Sequence, residues 1–221
     1  MKLVLYGGGL EEENEDLDLA ALDLSASDSP TITYIPSSSH ESYTEFRSFA
    51  RQHSKYGVTR LLYFPIDTPF DDILFREVFK SDIIHLAGGN TYYFLNTLRR
   101  KKLLGPVREF VKKGRVLSGL SAGAILMTPS IHTAIFPSFD CDENEENLKN
   151  WKALNLVKFE FFPHYRNSRR YEQCLKRESR KRHHPIYACP DSHGVVIEND
   201  TLQFLGRCFA FQKGSKVILS S

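Results

Sequence analysis

The sequence predicts an α/β protein built on a mostly parallel sheet with helices on both faces and closed by a C-terminal β-meander. Three observations carry that expectation. Short apolar or β-branched runs alternate with helix-length segments over the first half of the chain, the pattern of repeated strand–helix units. The run KLVLY at residues 2–6 is apolar almost throughout and stops at three glycines, as a buried strand does. The stretch VLSGLSAGAILM, residues 116–127, reads as strand, sharp turn and helix, with Ser121 at the turn.

In chain order, the first strand runs into Gly7-Gly8-Gly9. A glycine run there can cradle a phosphate, but Glu11, Glu12, Glu13, Glu15 and Asp16 would repel one, and the G-x-G-x-x-G spacing is absent. Residues 11–23 carry Leu17, Ala20 and Ala21, with Leu24 beyond, at helical spacing under an acidic face, and 25–30 read as a loop. A β-branched strand at 31–35 ends at Pro36, and Ser37, Ser38, Ser39, His40 and Glu41 offer caps for a helix reaching about Tyr56. Strands at 60–64 and 82–86 flank a helix at 71–79. The later strand opens into Ala87-Gly88-Gly89-Asn90-Thr91, and helical patterns at 91–98 and 105–113 precede the strand into Ser121. Ligands of such sheets bind at the carboxyl ends of the strands, where the Gly88-Gly89 and Ser121 turns both fall. Beyond them, 140–147 is an acidic loop without calcium-site spacing, read as a solvated excursion, and 156–162 is a strand leading to Pro163-His164-Tyr165. Residues 167–182 form a basic surface helix whose thin apolar side is Tyr171, Cys174 and Leu175. A strand at 185–188, a turn at 189–194 and short strands over 195–219 complete the chain.

Composition narrows the classes. With 41% hydrophobic and 25% charged residues, the chain is that of one globular domain, residues 1–221, able to bury a substantial core. Basic and acidic residues number 29 and 27, a net charge of +2, so no overall field favours nucleic acid; the basic helix lacks interleaved aromatics and reads as a solvated face. No apolar run approaches the roughly 18 residues of a membrane span. The N-terminus lacks a signal-peptide pattern, so a cytoplasmic protein is expected. Cys141, Cys174, Cys189 and Cys208 have no zinc spacing and no histidines stand at i, i+4 as a metal helix requires, so reduced thiols and no metal or cofactor are expected.

In a G-x-S-x-G turn, small neighbours let the backbone lift the serine hydroxyl out of the sheet to a helix N-terminus, where a developing negative charge is favoured. Ser121 is therefore the candidate nucleophile, and it needs a base and a group to orient that base. Of eight histidines, His164 sits directly after a strand, at the sheet edge expected to carry Ser121. His85 lies mid-strand and reads as a satisfied core residue. His40 and His53 belong to an early helix, and His183 and His184 to the end of the basic one. Asp191, in a Pro-Asp-Ser-His-Gly turn after a strand, is the best-placed acid, with Glu198 and Asp200 in the terminal hairpin as alternatives.

These segments carry a resemblance. Ala87-Gly88-Gly89-Asn90-Thr91, Gly119-Leu120-Ser121-Ala122-Gly123-Ala124, Phe162-Pro163-His164-Tyr165-Arg166-Asn167 and Cys189-Pro190-Asp191 resemble, in that order and over almost the whole chain, the peptidase E family of serine dipeptidases, relatives of the cyanophycinases. The resemblance implies a flavodoxin-like sheet akin to class I glutamine amidotransferases and a Ser121, His164, Asp191 triad. It also implies oxyanion donors at the Ala122 amide and at Gly88 or Gly89. Asn90, His132 and Phe136 fall at substrate-binding positions, and Arg166, with Arg169 and Arg170, offers an anion contact. The substrate would be a small peptide. Where the family carries an arginine and an aspartate tied to substrates beginning with aspartate, this chain has His132 and Phe136, so strict selectivity for such substrates is not expected. The amidotransfer alternative uses a cysteine at the elbow, and common esterases place the acid before the histidine; neither matches here. A non-catalytic relative is expected to have lost Ser121, His164 or Asp191, and all three are present.

Overall fold

The computed structural model describes residues 1–40 and 42–219; Glu41, one of the expected capping residues, lies outside them. The elements are β1 (Lys2–Tyr6), α1 (Glu15–Ser25), β2 (Thr31–Ile35), α2 (Ser42–Lys55), β3 (Arg60–Tyr63), α3 (Asp72–Val78), β4 (Ile83–Leu86), α4 (Thr91–Arg100), α5 (Leu104–Lys112), β5 (Val116–Leu120) and α6 (Ala122–Met127). The second half adds β6 (Glu160–Phe162), α7 (Arg169–Ser179), β7 (Ile186–Ala188), β8 (Gly194–Glu198), β9 (Thr201–Leu205), β10 (Cys208–Gln212) and β11 (Ser215–Leu219).

The larger sheet has the order β3-β2-β4-β5-β1-β8-β9, parallel from β3 to β1 and antiparallel beyond. Successive strand residues point to opposite faces, so the apolar run of β1 serves two cores. Leu3 and Leu5 join Phe94, Leu98 and Phe110 of α4 and α5 on one face, while Val4 and Tyr6 join Leu17, Ala21 and Phe49 of α1 and α2 on the other. Six-residue α6 is too short to hold alone. It stands because Ala124, Ile125, Leu126 and Met127 are all buried, and burying one such large side chain is worth roughly 1.5–3 kcal/mol.

The second sheet has the order β11-β10-β7-β6, with β6 and β7 parallel. The expected terminal meander is therefore divided: β8 and β9 extend the large sheet, while β10 and β11 leave it for β7. Phe209 and Phe211 explain the departure, since the small sheet gives them a core with Phe162 of β6, Tyr165 of the segment that follows it, and Tyr171 and Leu175 of α7. Two other boundaries shift. Glu11–Glu13 is a separate 3-10 turn, closed by the Glu13 carboxylate accepting from the Leu10 amide at 2.8 Å, so α1 starts at Glu15. Residues 154–156 are tied by their amides to Leu126, Thr128 and Met127 at the end of α6, which leaves only Glu160–Phe162 of the expected 156–162 strand. Among the described residues, no helix is long and apolar enough to cross a membrane.

Candidate active site

Four strand ends converge on one place. β1 ends at Gly7 and β5 at Ser121, neighbours because Tyr6 pairs with Leu120 and the Ser121 amide donates to the Tyr6 carbonyl at 3.1 Å. β6 and β7 supply the rest: His164 follows Phe162, Asp191 follows Ala188, and those two strand residues are register partners. His164 thus comes from the second sheet, not from the edge that carries Ser121, a correction to the sequence-based expectation. Two backbone bonds lock the sheets at this corner, His164 N–H to Gly7 C=O at 2.6 Å and Ser192 N–H to Gly8 C=O at 3.1 Å.

Ser121 has φ 51° and ψ −106°, a left-handed conformation costly for a residue with a Cβ, and His164 has φ 52°. Small neighbours make the elbow possible: a side chain on Gly123 would start 2.1 Å from the Leu86 carbonyl oxygen. The Ser121 Oγ lies 2.7 Å from His164 Nε2, and His164 Nδ1 lies 2.6 Å from Asp191 Oδ1. A carboxylate only accepts, so Nδ1 carries the ring proton, and Nε2 is left to accept from the serine hydroxyl. Both His164 and Asp191 are about half exposed, open to an incoming ligand. The Ala122, Gly88 and Gly89 amides donate to no backbone carbonyl among the described residues.

Sequence reasoning did not find a role for the glycine run. A Cβ on Gly8, whose φ is +135°, would lie 2.2 Å from Asp191 Oδ1 and 2.3 Å from the His164 ring, so only glycine lets the loop pass beneath the pair. The signal was three glycines at the end of the first strand, read only against phosphate binding.

Two cavities flank Ser121 and His164. One, of about 400 Å³, lies between Gly8–Glu11, Tyr34, the start of α2 and Gly88-Gly89. The other, of about 320 Å³, lies between Thr91, Ile125, Phe136, Phe162 and the loop 140–142. Phe136 therefore reaches the site, stacked on Phe162 at 5.8 Å. The other expected substrate-binding residues line neither cavity. Asn90 caps α4, accepting from the Tyr93 amide at 2.9 Å and donating to the Glu143 carbonyl at 2.8 Å. His132 lies against Trp151, its Nδ1 3.1 Å from Ser130 Oγ, with its pKa held down by burial and by Arg182. Arg166 is exposed. The acidic loop is largely exposed, as expected of a solvated excursion, but it is tied down at two points: Asp142 accepts from the Thr91 amide at 2.8 Å and Asp140 from the Tyr171 hydroxyl, which bring both to the second cavity.

The remaining histidine and cysteine expectations can be placed too. His85 is buried, its Nδ1 2.9 Å from Ser118 Oγ, as a core residue. Cys174, Cys189 and Cys208 are buried free thiols and Cys141 is exposed. The acid alternatives Glu198 and Asp200 line neither cavity beside the serine.

The family model described as peptidase family S51 matches residues 3–205. The chain belongs to peptidase family S51. An uncharacterised peptidase of Listeria innocua is 33% identical over 141 residues, 62% of this chain and 65% of that protein. Peptidase E of Salmonella paratyphi A is 37% identical over 89 residues, 40% of this chain and 36% of the relative. These alignments leave a third or more of each relative unmatched. The fold extends further than the sequence identity. A structure of a candidate peptidase E from Listeria monocytogenes EGD-e superposes with a TM-score of 0.72 at 24% identity, over 92% of this chain and 96% of that one. A peptidase from an acI-B1 actinobacterium superposes with 0.73 at 17% identity, over 100% and 94%. This S51 chain therefore carries the fold of these peptidase structures.

Proposed function

We propose that this S51 chain is a serine peptidase that hydrolyses small peptides through an acyl-enzyme on Ser121. One observation carries the reading: the continuous chain from Ser121 Oγ through the His164 ring to Asp191, with bonds of 2.7 and 2.6 Å. His164 Nε2 takes the hydroxyl proton as Oγ attacks the peptide carbonyl carbon and then delivers it to the departing amine. Asp191 holds Nδ1–H and stabilises the imidazolium. The carbonyl oxygen, now negative, is received by the free amides of Ala122 and of Gly88 or Gly89; one such donor is typically worth about 3 kcal/mol of barrier. Water, deprotonated by the same imidazole, attacks the acyl carbon and releases Ser121.

Selectivity for amino-terminal aspartate is not part of this reading. Neither lysine nor arginine is among the described residues lining the two cavities, whereas Glu11, Glu45, Asp140 and Asp142 are. An aspartyl side chain would meet carboxylates where it needs a guanidinium or ammonium.

A fluorophosphonate probe tests the nucleophile. Wild-type protein should be labelled at Ser121 and the Ser121→Ala variant should not. Asp191→Asn should keep the fold and lower kcat by about 10³-fold or more, because tautomer control is lost. Labelling that persists in Ser121→Ala removes the reading.

A further inference from the structure

The cavity on the β1 side of Ser121 has a wall that the acyl-transfer chemistry does not use. Glu11, from the turn after the glycine run, and Glu45, from the first turn of α2, line it together with Tyr34. Tyr34 is only 3% exposed, yet its hydroxyl has no hydrogen-bond partner among the described residues and lines this space, near enough to Glu45 and Glu11 for both to raise its pKa. The ring is packed away, but the hydroxyl oxygen is not itself a buried atom, so it is free to bond a ligand in this space. The two carboxylates form no ion pair among the described residues. Burial, with Glu12 and Glu45 nearby, lifts Glu11 to about 7, and burial raises Glu45 as well. The opposite cavity differs, since both its aspartates are engaged: Asp142 by the Thr91 amide and Asp140 by the Tyr171 hydroxyl.

The geometry points to a subsite for a cationic group of the peptide, held by the Glu11 and Glu45 carboxylates and the Tyr34 hydroxyl beside Ser121. The inference rests on the peptidase reading of that serine. An ammonium has three donors and no acceptor, and this wall offers three acceptor groups with no lysine or arginine among the described lining residues. Two sources on a small peptide have this chemistry, the amino terminus and a lysine or arginine side chain. An apolar or acidic group placed there would leave two carboxylates facing each other with no counter-charge.

The test separates the subsite from the catalysis by measuring binding to Ser121→Ala, which lacks the nucleophile. Alanyl-lysine and lysyl-alanine are titrated against their norleucine counterparts to remove the side-chain cation, and the norleucine peptides against their N-acetylated forms to remove the terminal one. Removing one of these cations should weaken Kd by about tenfold or more, and adding Glu11→Gln and Glu45→Gln should bring that ratio close to one. Glu109→Gln, an exposed partner of Lys112 on α5, should leave the ratio in place. The subsite is refuted if neither cation changes Kd by more than about threefold, or if the ratio survives both glutamine substitutions. Should wild-type protein hydrolyse none of these peptides while the ratio behaves as expected, the peptidase reading fails and the cation subsite stands.

Discussion

The two sheets meet at one corner but are held by different forces. The large sheet, which carries Ser121, is packed on both faces by aliphatic and aromatic side chains, and its strands β1, β4 and β5 are buried almost end to end. The small sheet, which carries His164 and Asp191, has an aromatic core under α7 and a buried ionic cluster. Arg182 reaches Glu160 of β6 at 3.1 Å and Glu178 at 3.5 Å, with all three side chains about nine-tenths buried. Apolar burial is non-directional, whereas a buried ion pair is tied to a geometry and leaves an unpaired charge when one partner goes. The large sheet has buried polar contacts too, Asp18 with Tyr6 and His85 with Ser118. Burial, however, pushes Asp18 up to about 8 and His85 down to about 3, so both are neutral at pH 7. Loss of a charged partner should therefore cost more in the histidine half.

The largest effect that can break this comparison is Arg182→Met. It leaves Glu160 buried, with a pKa already raised by burial against the pull of Arg182, and also removes the guanidinium 5.1 Å above Phe136. A loss of about 3–5 kcal/mol in urea unfolding is expected, partly recovered by adding Glu160→Gln. A loss under about 1 kcal/mol would put the small sheet on the same footing as the large one. Next comes Gly123→Ala in the large sheet, where the added methyl meets the Leu86 carbonyl. Overpacking there should cost about 1–3 kcal/mol, and a neutral result would show that the elbow can shift away from β4.

The effect that vanishes at neutral pH, and is smallest there, concerns His85, which burial, with His53 nearby, holds down to about 3; the rings of Tyr6, Tyr34 and Phe49 enclose it, and Ser118 is its polar partner. Its folded pKa lies below the unfolded value of about 6.5, so the stabilisation is complete above pH 6.5 and is lost as pH falls toward 3. The slope is about 1.4 kcal/mol per pH unit for one proton. His85→Asn should flatten the stability curve by that amount between pH 6 and about 4, read from chemical denaturation at each pH. His53, also held down, to about 4, keeps its own share in both proteins. Equal slopes would mean that His85 is already charged in the fold.

The same contrast decides what the sequence made legible. The parallel strands and the elbow were readable because burial on two faces writes long apolar runs, and a strained serine needs small neighbours at fixed offsets. The small sheet wrote no such signal. β6 and β7 are three residues each, and β10 and β11 look like more of the meander, so nothing local shows that Phe209 and Phe211 pack under α7. His164 and Asp191 were found because each follows a short strand, but not that they come from a separate sheet. Asn90 and His132 were placed at the substrate by resemblance, whereas their side chains are engaged by Tyr93 and Glu143 and by Ser130 and Trp151. Glu11, Tyr34 and Glu45 come from three separate elements, and only the fold shows that they share a wall with Ser121.

The central claim is that two differently built sheets deliver one catalytic unit. It is tested most directly by kcat for peptide hydrolysis in Ser121→Ala, His164→Ala and the double variant. Groups that act as a unit are lost together, so each single variant should fall by about 10⁴-fold or more and the double variant should fall little further. Losses that multiply in the double variant, or a His164→Ala protein within about tenfold of wild type, would contradict the account.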